Sequence, residues 1–234
     1  MAQHISYQRP PFRSAIVCFL PNYIQRKNPT MAKRQKAPKI ELLISVDDSH
    51  PLNYRSAELL ERYGLVKNAI FFLDTARLDT GQMDYLLGRG FEIGNHTENH
   101  RILTEISIDQ AIDEILAPER KLSFRWFCYP RGRYNQEIVN ILKYLGYEKA
   151  RTTRVFQIWM PENPLESHST VHCYQRKEYD KTDWEVMAKN LWDKVRQGEG
   201  NYYHIWWHSW EIEREIEGWV KLENVLKYIT RNPE

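Results

Sequence analysis

Two histidines four residues apart, His96 and His100, can present ring nitrogens to a single ion, since positions i and i+4 share a helical face. Upstream, the apolar run from Ile40 to Val46 ends in two adjacent carboxylates, Asp47 and Asp48. Inside a strand such neighbours point to opposite faces, but where a strand breaks into a loop both can turn toward one pocket. One can then hold a metal while the other stays free to take a proton. An H-x-x-x-H pair by itself is a weak signal that ordinary core or surface histidines also produce. An acidic pair closing a buried strand, followed by a second strand that delivers the histidines, is more specific.

The elements around these residues alternate. Ile40 to Val46 predicts a strand, and Ser56 to Tyr63 a helix with apolar Ala57, Leu59, Leu60 and Tyr63 and a Gly64 stop. Strands are expected at 68–73 and 91–94, with a helix over 80–88 between them. Ser107 reads as the cap of a helix through Ile115 and Leu116, which Pro118 should kink or end. A strand over 124–129, a helix over 136–145 and a short strand over 149–152 follow. An inserted loop runs through Ser167, then come a strand over 171–174, a helix over 183–197, a strand over 202–207 and a helix over 219–229. Such alternation implies parallel strands with right-handed crossovers, curled into a barrel or sheet.

Length and composition bound the rest. The 234 residues, 42% hydrophobic and 27% charged, can bury one substantial core. Residues 1–40 hold eight Lys and Arg and no acid. Setting those eight aside leaves 25 basic against 31 acidic side chains, so the body carries about −6 and gives nucleic acid no electrostatic footing. Residues 1–39 therefore read as a basic, proline-punctuated extension and 40–234 as the catalytic domain. Cys18, Cys128 and Cys173 are odd in number and unclustered, which suggests neither a disulfide framework nor a zinc-thiolate site. The apolar run Ala15 to Leu20 is too short to span a bilayer and is closed by Pro21, so no transmembrane segment is expected, and without a convincing signal peptide the default compartment is cytoplasmic.

Ser45-Val46-Asp47-Asp48-Ser49 resembles the Thr-Phe-Asp-Asp-Gly motif of the polysaccharide deacetylase (NodB-homology) family, carbohydrate esterase family four, and His96-Thr97-Glu98-Asn99-His100 matches its His-Ser/Thr-x-x-His motif. The resemblance implies a distorted, incomplete (β/α) barrel of about seven parallel strands with the site at their C-terminal ends. It assigns Asp48, His96 and His100 to a divalent metal ion, zinc or another transition ion, and Asp47 to the general base. Ile205-Trp206-Trp207-His208 is similar to the motif that supplies the acid, His208, although His204 can face the same way. Asp180-Lys181-Thr182-Asp183-Trp184 resembles the motif whose aspartate, here Asp183, orients that histidine, though a helix cap would equally explain it. Glu211 either steers His208 or is a surface carboxylate. The third motif, Phe-Arg-Pro-Pro-Tyr-Gly, corresponds to Phe127-Cys128-Tyr129-Pro130-Arg131-Gly132. Cys128 stands where an arginine steadies the base, leaving Arg125, Arg131 or Arg151 to supply the charge, and the Tyr129 N–H is expected to hold the oxyanion. Of the tryptophans near the strand end, one of Trp206 and Trp207 should pack in the core, and Trp210 is the better substrate wall.

The implied activity is removal of an N-acyl group, acetyl first, from an N-acylated glycan or amino sugar. The alternatives are a C–N hydrolase of the same family acting on a small amide, a formamido sugar or a glycolipid, and an inactive carbohydrate-binding relative.

Overall fold

The computed structural model describes residues 39–120 and 122–231. The basic extension expected over 1–39 falls almost wholly outside them, as does Cys18. The first strand, β1 (Glu41–Asp47), is followed by helix α1 (Asn53–Arg62), β2 (Ala69–Leu73), α2 (Thr80–Gly88), β3 (Glu92–Asn95), α3 (Ile108–Glu119), β4 (Trp126–Cys128), α4 (Gln136–Tyr144) and β5 (Lys149–Arg151). Then come β6 (Val171–His172), α5 (Trp184–Lys194), β7 (Tyr202–His208), α6 (Ser209–Arg214) and α7 (Gly218–Thr230).

All seven strands pair in parallel in the order β5-β4-β3-β2-β1-β7-β6 and form a half-barrel. The stretch between β5 and β6 runs along both edges. Ser167 bridges Arg151 of β5, and the Thr170 N–H donates to the His204 carbonyl of β7.

Register explains why one end of this sheet carries chemistry. Asp47 of β1 lies opposite His208 of β7 and Phe72 of β2, and Phe72 in turn lies opposite Gly94 of β3. Asn95 pairs with Phe127, and Cys128 with Arg151. The C-terminal ends of β1, β3, β4, β5 and β7 therefore finish side by side. Gly94 is required by close packing, since a Cβ there would come within 2.3 Å of the Phe72 ring.

Strand period separates two interiors. On β7, Tyr203, Ile205 and Trp207 join the main core beneath the helices, where Trp207 donates to Ser56 on α1 and Tyr203 to the Ala188 carbonyl on α5. His204 and Trp206 point to the other face. His204 bonds Ser45 and Tyr202 there, and Trp206 stacks on His172 at 3.7 Å. Trp207 is thus the one that packs in the core, while Trp206, buried as well, lies on the pocket face. α3 carries Pro118 in its last turn and ends one residue beyond it, at Glu119.

Candidate active site

A cavity of about 410 Å³ opens at the C-terminal strand ends, lined among others by Asp47, Asp48, His96, His100, His208 and Trp210. Its size suits a small ligand.

The backbone at β1's end makes room for both carboxylates. Asp47 is the last residue of the strand, and Asp48 turns sharply with φ 69°. The histidines sit on a loop, not on a helix. Thr97 and His100 both adopt positive φ, 68° and 57°, an unusual state for a β-branched threonine. The loop is pinned from below. Asn95 accepts from the Thr97 N–H at 2.7 Å, and buried Glu114 on α3 accepts from the backbone and side-chain N–H groups of Asn99 at 2.8 and 3.0 Å. Nothing about Glu114 in the sequence marks it out from other helical glutamates.

The loop brings His96 Nε2 to 3.6 Å and His100 Nε2 to 3.5 Å from Asp48 Oδ1, and Oδ1 is buried without a hydrogen-bond partner. His96 donates its Nδ1–H to the Cys128 carbonyl at 2.7 Å, which leaves the Nε2 lone pair facing the carboxylate. Two imidazoles and one orphaned carboxylate oxygen fit a divalent transition ion. Burial works to raise the Asp48 pKa, but His96, His208, His100 and the Trp210 N–H together hold it below the ordinary value. Burial, aided by His96, lowers His100 to about 4, so it is a neutral, ligand-ready base at neutral pH.

Asp47 is held differently. Its Oδ2 receives the Arg151 guanidinium, while Oδ1 is buried with no partner. Arg151, on β5, also donates to Cys128 Sγ at 2.9 Å and lies over the Trp206 ring at 4.2 Å. The charge missing from β4 thus arrives from the next strand, through the space that the small Cys128 side chain leaves open. Arg125 is exposed and tied to Glu92, and Arg131 lies at the pocket rim. Cys128 is fully buried, and burial pushes its thiol well above the ordinary value, so it is no nucleophile.

His208 Nδ1 donates to Glu211 Oε2 at 2.5 Å, and the same oxygen accepts from His172 Nε2 at 2.8 Å. Burial drives His172 to about 4 despite that bond. On His208 burial also acts downward, but Glu211 and the charges of Asp47 and Asp48 outweigh it and leave the pKa raised. Glu211 itself, although burial opposes ionisation, is brought to about 2 by its two imidazoles. Of the two histidines on Glu211, His208 is thus the one biased toward its charged form, and His172 is the neutral donor.

Two sequence expectations change, and one alternative closes. Asp183 does not reach His208. It caps α5 through the Glu185 N–H at 2.8 Å and pairs with Lys221 at 2.6 Å, so the carboxylate behind His208 is Glu211, brought there by α6, a helix the sequence reading omitted. The Tyr129 N–H is not available to an oxyanion, because it donates to the Arg151 carbonyl at 3.1 Å. Two residues on, the N–H of pocket-lining Arg131 has no acceptor among the described residues. His204 is excluded as the acid, being buried between Ser45 and Tyr202 and held well below the ordinary histidine value, by burial first and then by Arg151. His172, which the sequence offered only as a strand residue, joins the site through pairing with Trp206 on β7. Trp210 does line the cavity, stacked on His208 at 5.1 Å.

Fold and site together define a parallel half-barrel with its polar groups gathered at the C-terminal strand ends. Residues 34–150, half of the chain, match the polysaccharide deacetylase family model, and the chain belongs to that family. The Bacillus subtilis polysaccharide-deacetylase homologue YxkH is 31% identical over 137 residues, 53% of this chain and 48% of that protein, so this chain spans about half the length of the relative it matches. Among solved structures, the family 4 carbohydrate esterase from Streptomyces lividans superposes with a TM-score of 0.56 at 15% identity, covering 82% of this chain and 89% of that one. BA3943, a CE4 family pseudoenzyme from Bacillus anthracis, gives 0.54 at 16%, covering 83% and 62%. These structural likenesses show the fold, and with a pseudoenzyme among them the activity has to be argued from this chain's own groups.

Proposed function

We propose that this protein is a metal-dependent deacetylase that removes an N-acetyl group from an amino-sugar-containing glycan. The observation that carries it is the pair of adjacent buried carboxylates, each with one oxygen lacking a hydrogen-bond partner, set among imidazoles in one cavity. A buried polar atom left without a partner costs about 1–3 kcal/mol, so two side by side point to groups that bind something.

Asp48, His96 and His100 would hold a divalent ion, zinc among the candidates. Such an ion supplies Lewis acidity to the amide carbonyl and lowers the pKa of water toward ~7. Asp47 acts as the general base. Arg151 occupies its Oδ2, so that the unpartnered Oδ1 is the oxygen left for an attacking water. His208, aligned by Glu211 and biased by it toward the protonated form, presents Nε2 to the departing nitrogen and gives up its proton there. Trp210 and Trp206 offer aromatic walls to the sugar.

The test is acetate release by zinc-loaded protein from chitin oligomers, peptidoglycan fragments and poly-N-acetylglucosamine. Release from one or more of these, abolished by chelation, supports the proposal. Glycan binding without release in metal-replete protein would instead make the chain an inactive carbohydrate-binding relative.

A further inference from the structure

Resting on that deacetylase reading, we propose that the rim of the pocket carries an anion subsite formed by Arg131 and Arg176, which selects amino-sugar substrates bearing a carboxylate or phosphate group. Three arginines, Arg77, Arg131 and Arg176, line the cavity. The acids on its floor do not account for them. Asp47 is paired with Arg151, Glu211 receives two imidazoles, and Asp48 faces His96, His100 and His208. Arg77 is tied to the fully buried Asp74, whereas Arg176 pairs only with the partly exposed Glu178 at 2.9 Å, a partner an anion can replace, and Arg131 has no carboxylate partner among the described residues. Arg176 is mostly covered, at 21% side-chain exposure, so its guanidinium is fixed rather than waving in solvent.

The backbone gives an independent reason to single out Arg131. It sits in the left-handed region at φ 56°, ψ 14°, a conformation that costs a side-chain-bearing residue about 1–2 kcal/mol and that glycine or asparagine would take more cheaply. The following Gly132, at φ 66°, is locked against Thr153, whose Oγ1 a Cβ would approach to 2.2 Å. The turn is closed by the Gly132 N–H on the Tyr129 carbonyl at 2.8 Å and the Arg133 N–H on the Pro130 carbonyl at 3.2 Å. A strained position that over-determined packing keeps in the left-handed state, filled by arginine at a pocket rim, is the pattern of a ligand clamp. The planar guanidinium fork matches a carboxylate or phosphate edge, and a neutral acetylated sugar offers it no such partner.

The test compares zinc-loaded protein on an N-acetylglucosamine tetramer, its carboxymethyl ether and its phosphate ester. We expect kcat/KM for at least one anionic derivative to exceed that of the parent by about tenfold at low salt, an advantage that shrinks as salt screens it. R131Q should bring the ratio close to one, R131K should keep part of it, and R176Q should reduce it; which derivative is preferred assigns the anion. A ratio near one in the natural protein, or one unmoved by R131Q, overturns the subsite and leaves deacetylation standing. If none of the three is hydrolysed, the deacetylase reading is what fails, and calorimetric binding to the Asp47→Asn protein decides the subsite. Binding of an anionic oligomer about tenfold tighter, lost when R131Q is added, supports it, and equal affinities overturn it.

Discussion

At the scale of single residues, the site is organised by which oxygen of each carboxylate is occupied. Arg151 takes one oxygen of Asp47 and leaves the other bare, which suits a base that must be charged yet unencumbered. Asp47→Asn should therefore lower kcat on the order of 10²-fold or more with metal content unchanged, measured by steady-state acetate release alongside metal analysis. Arg151 is as buried as its partner, and a buried charge that loses its mate is costly. Arg151→Met should destabilise the protein by about 3–5 kcal/mol in equilibrium urea unfolding. Adding Cys128→Arg, which returns the guanidinium to β4, should recover part of both stability and kcat. No recovery of either would mean that Arg151 does more than stand in for an arginine at 128.

At the scale of elements, capping and catalysis compete to explain an aspartate, and the structure separates them. Asp183 opens α5 and bonds the Glu185 N–H, so Asp183→Ala should cost about 1 kcal/mol of stability and leave the pH dependence of kcat where it was. Glu211→Gln should instead move the descending limb of the kcat profile to lower pH, because His208 loses the carboxylate that favours its protonated form, and it should also cost stability through the two imidazoles left without that carboxylate. If the Asp183 variant moved the profile and the Glu211 variant did not, the assignment made here would be reversed.

At the scale of the whole molecule, the polar interior of the half-barrel ties stability to pH. Burial first, then the Arg151 and Lys149 charges, holds His204 well below the ordinary histidine value. It is neutral in the folded protein and protonates in the unfolded chain. Its contribution is thus complete above an unfolded pKa of ~6.5 and is lost as pH falls through that value toward the folded one. Unfolding free energy should decline between about pH 7 and pH 5, and less steeply in His204→Gln; an identical slope would remove His204 from the account. Metal acts at the same scale. Zinc at about 100 times its Kd should stabilise the folded chain by about 2.7 kcal/mol, and His100→Ala should erase most of that shift in a thermal scan.

Local pattern was enough for a good part of this. Adjacent Asp47 and Asp48 at the end of an apolar run, His96 and His100 at their spacing, and the alternation of strand and helix are short-range features, and they led to the strand order's parallel class and to the four groups that share the cavity. What only the tertiary structure decided was every partner from a distant strand. The choice of Arg151 over Arg125 and Arg131 depends on β4–β5 register and on the room beside Cys128. Glu211 displaced Asp183 because a six-residue helix after β7 folds back over His208, and six residues are too few to show a period. The Tyr129 N–H was lost to an oxyanion because backbone donors are claimed by whichever carbonyl the adjoining strand presents, and a one-dimensional chain does not say which strand that will be.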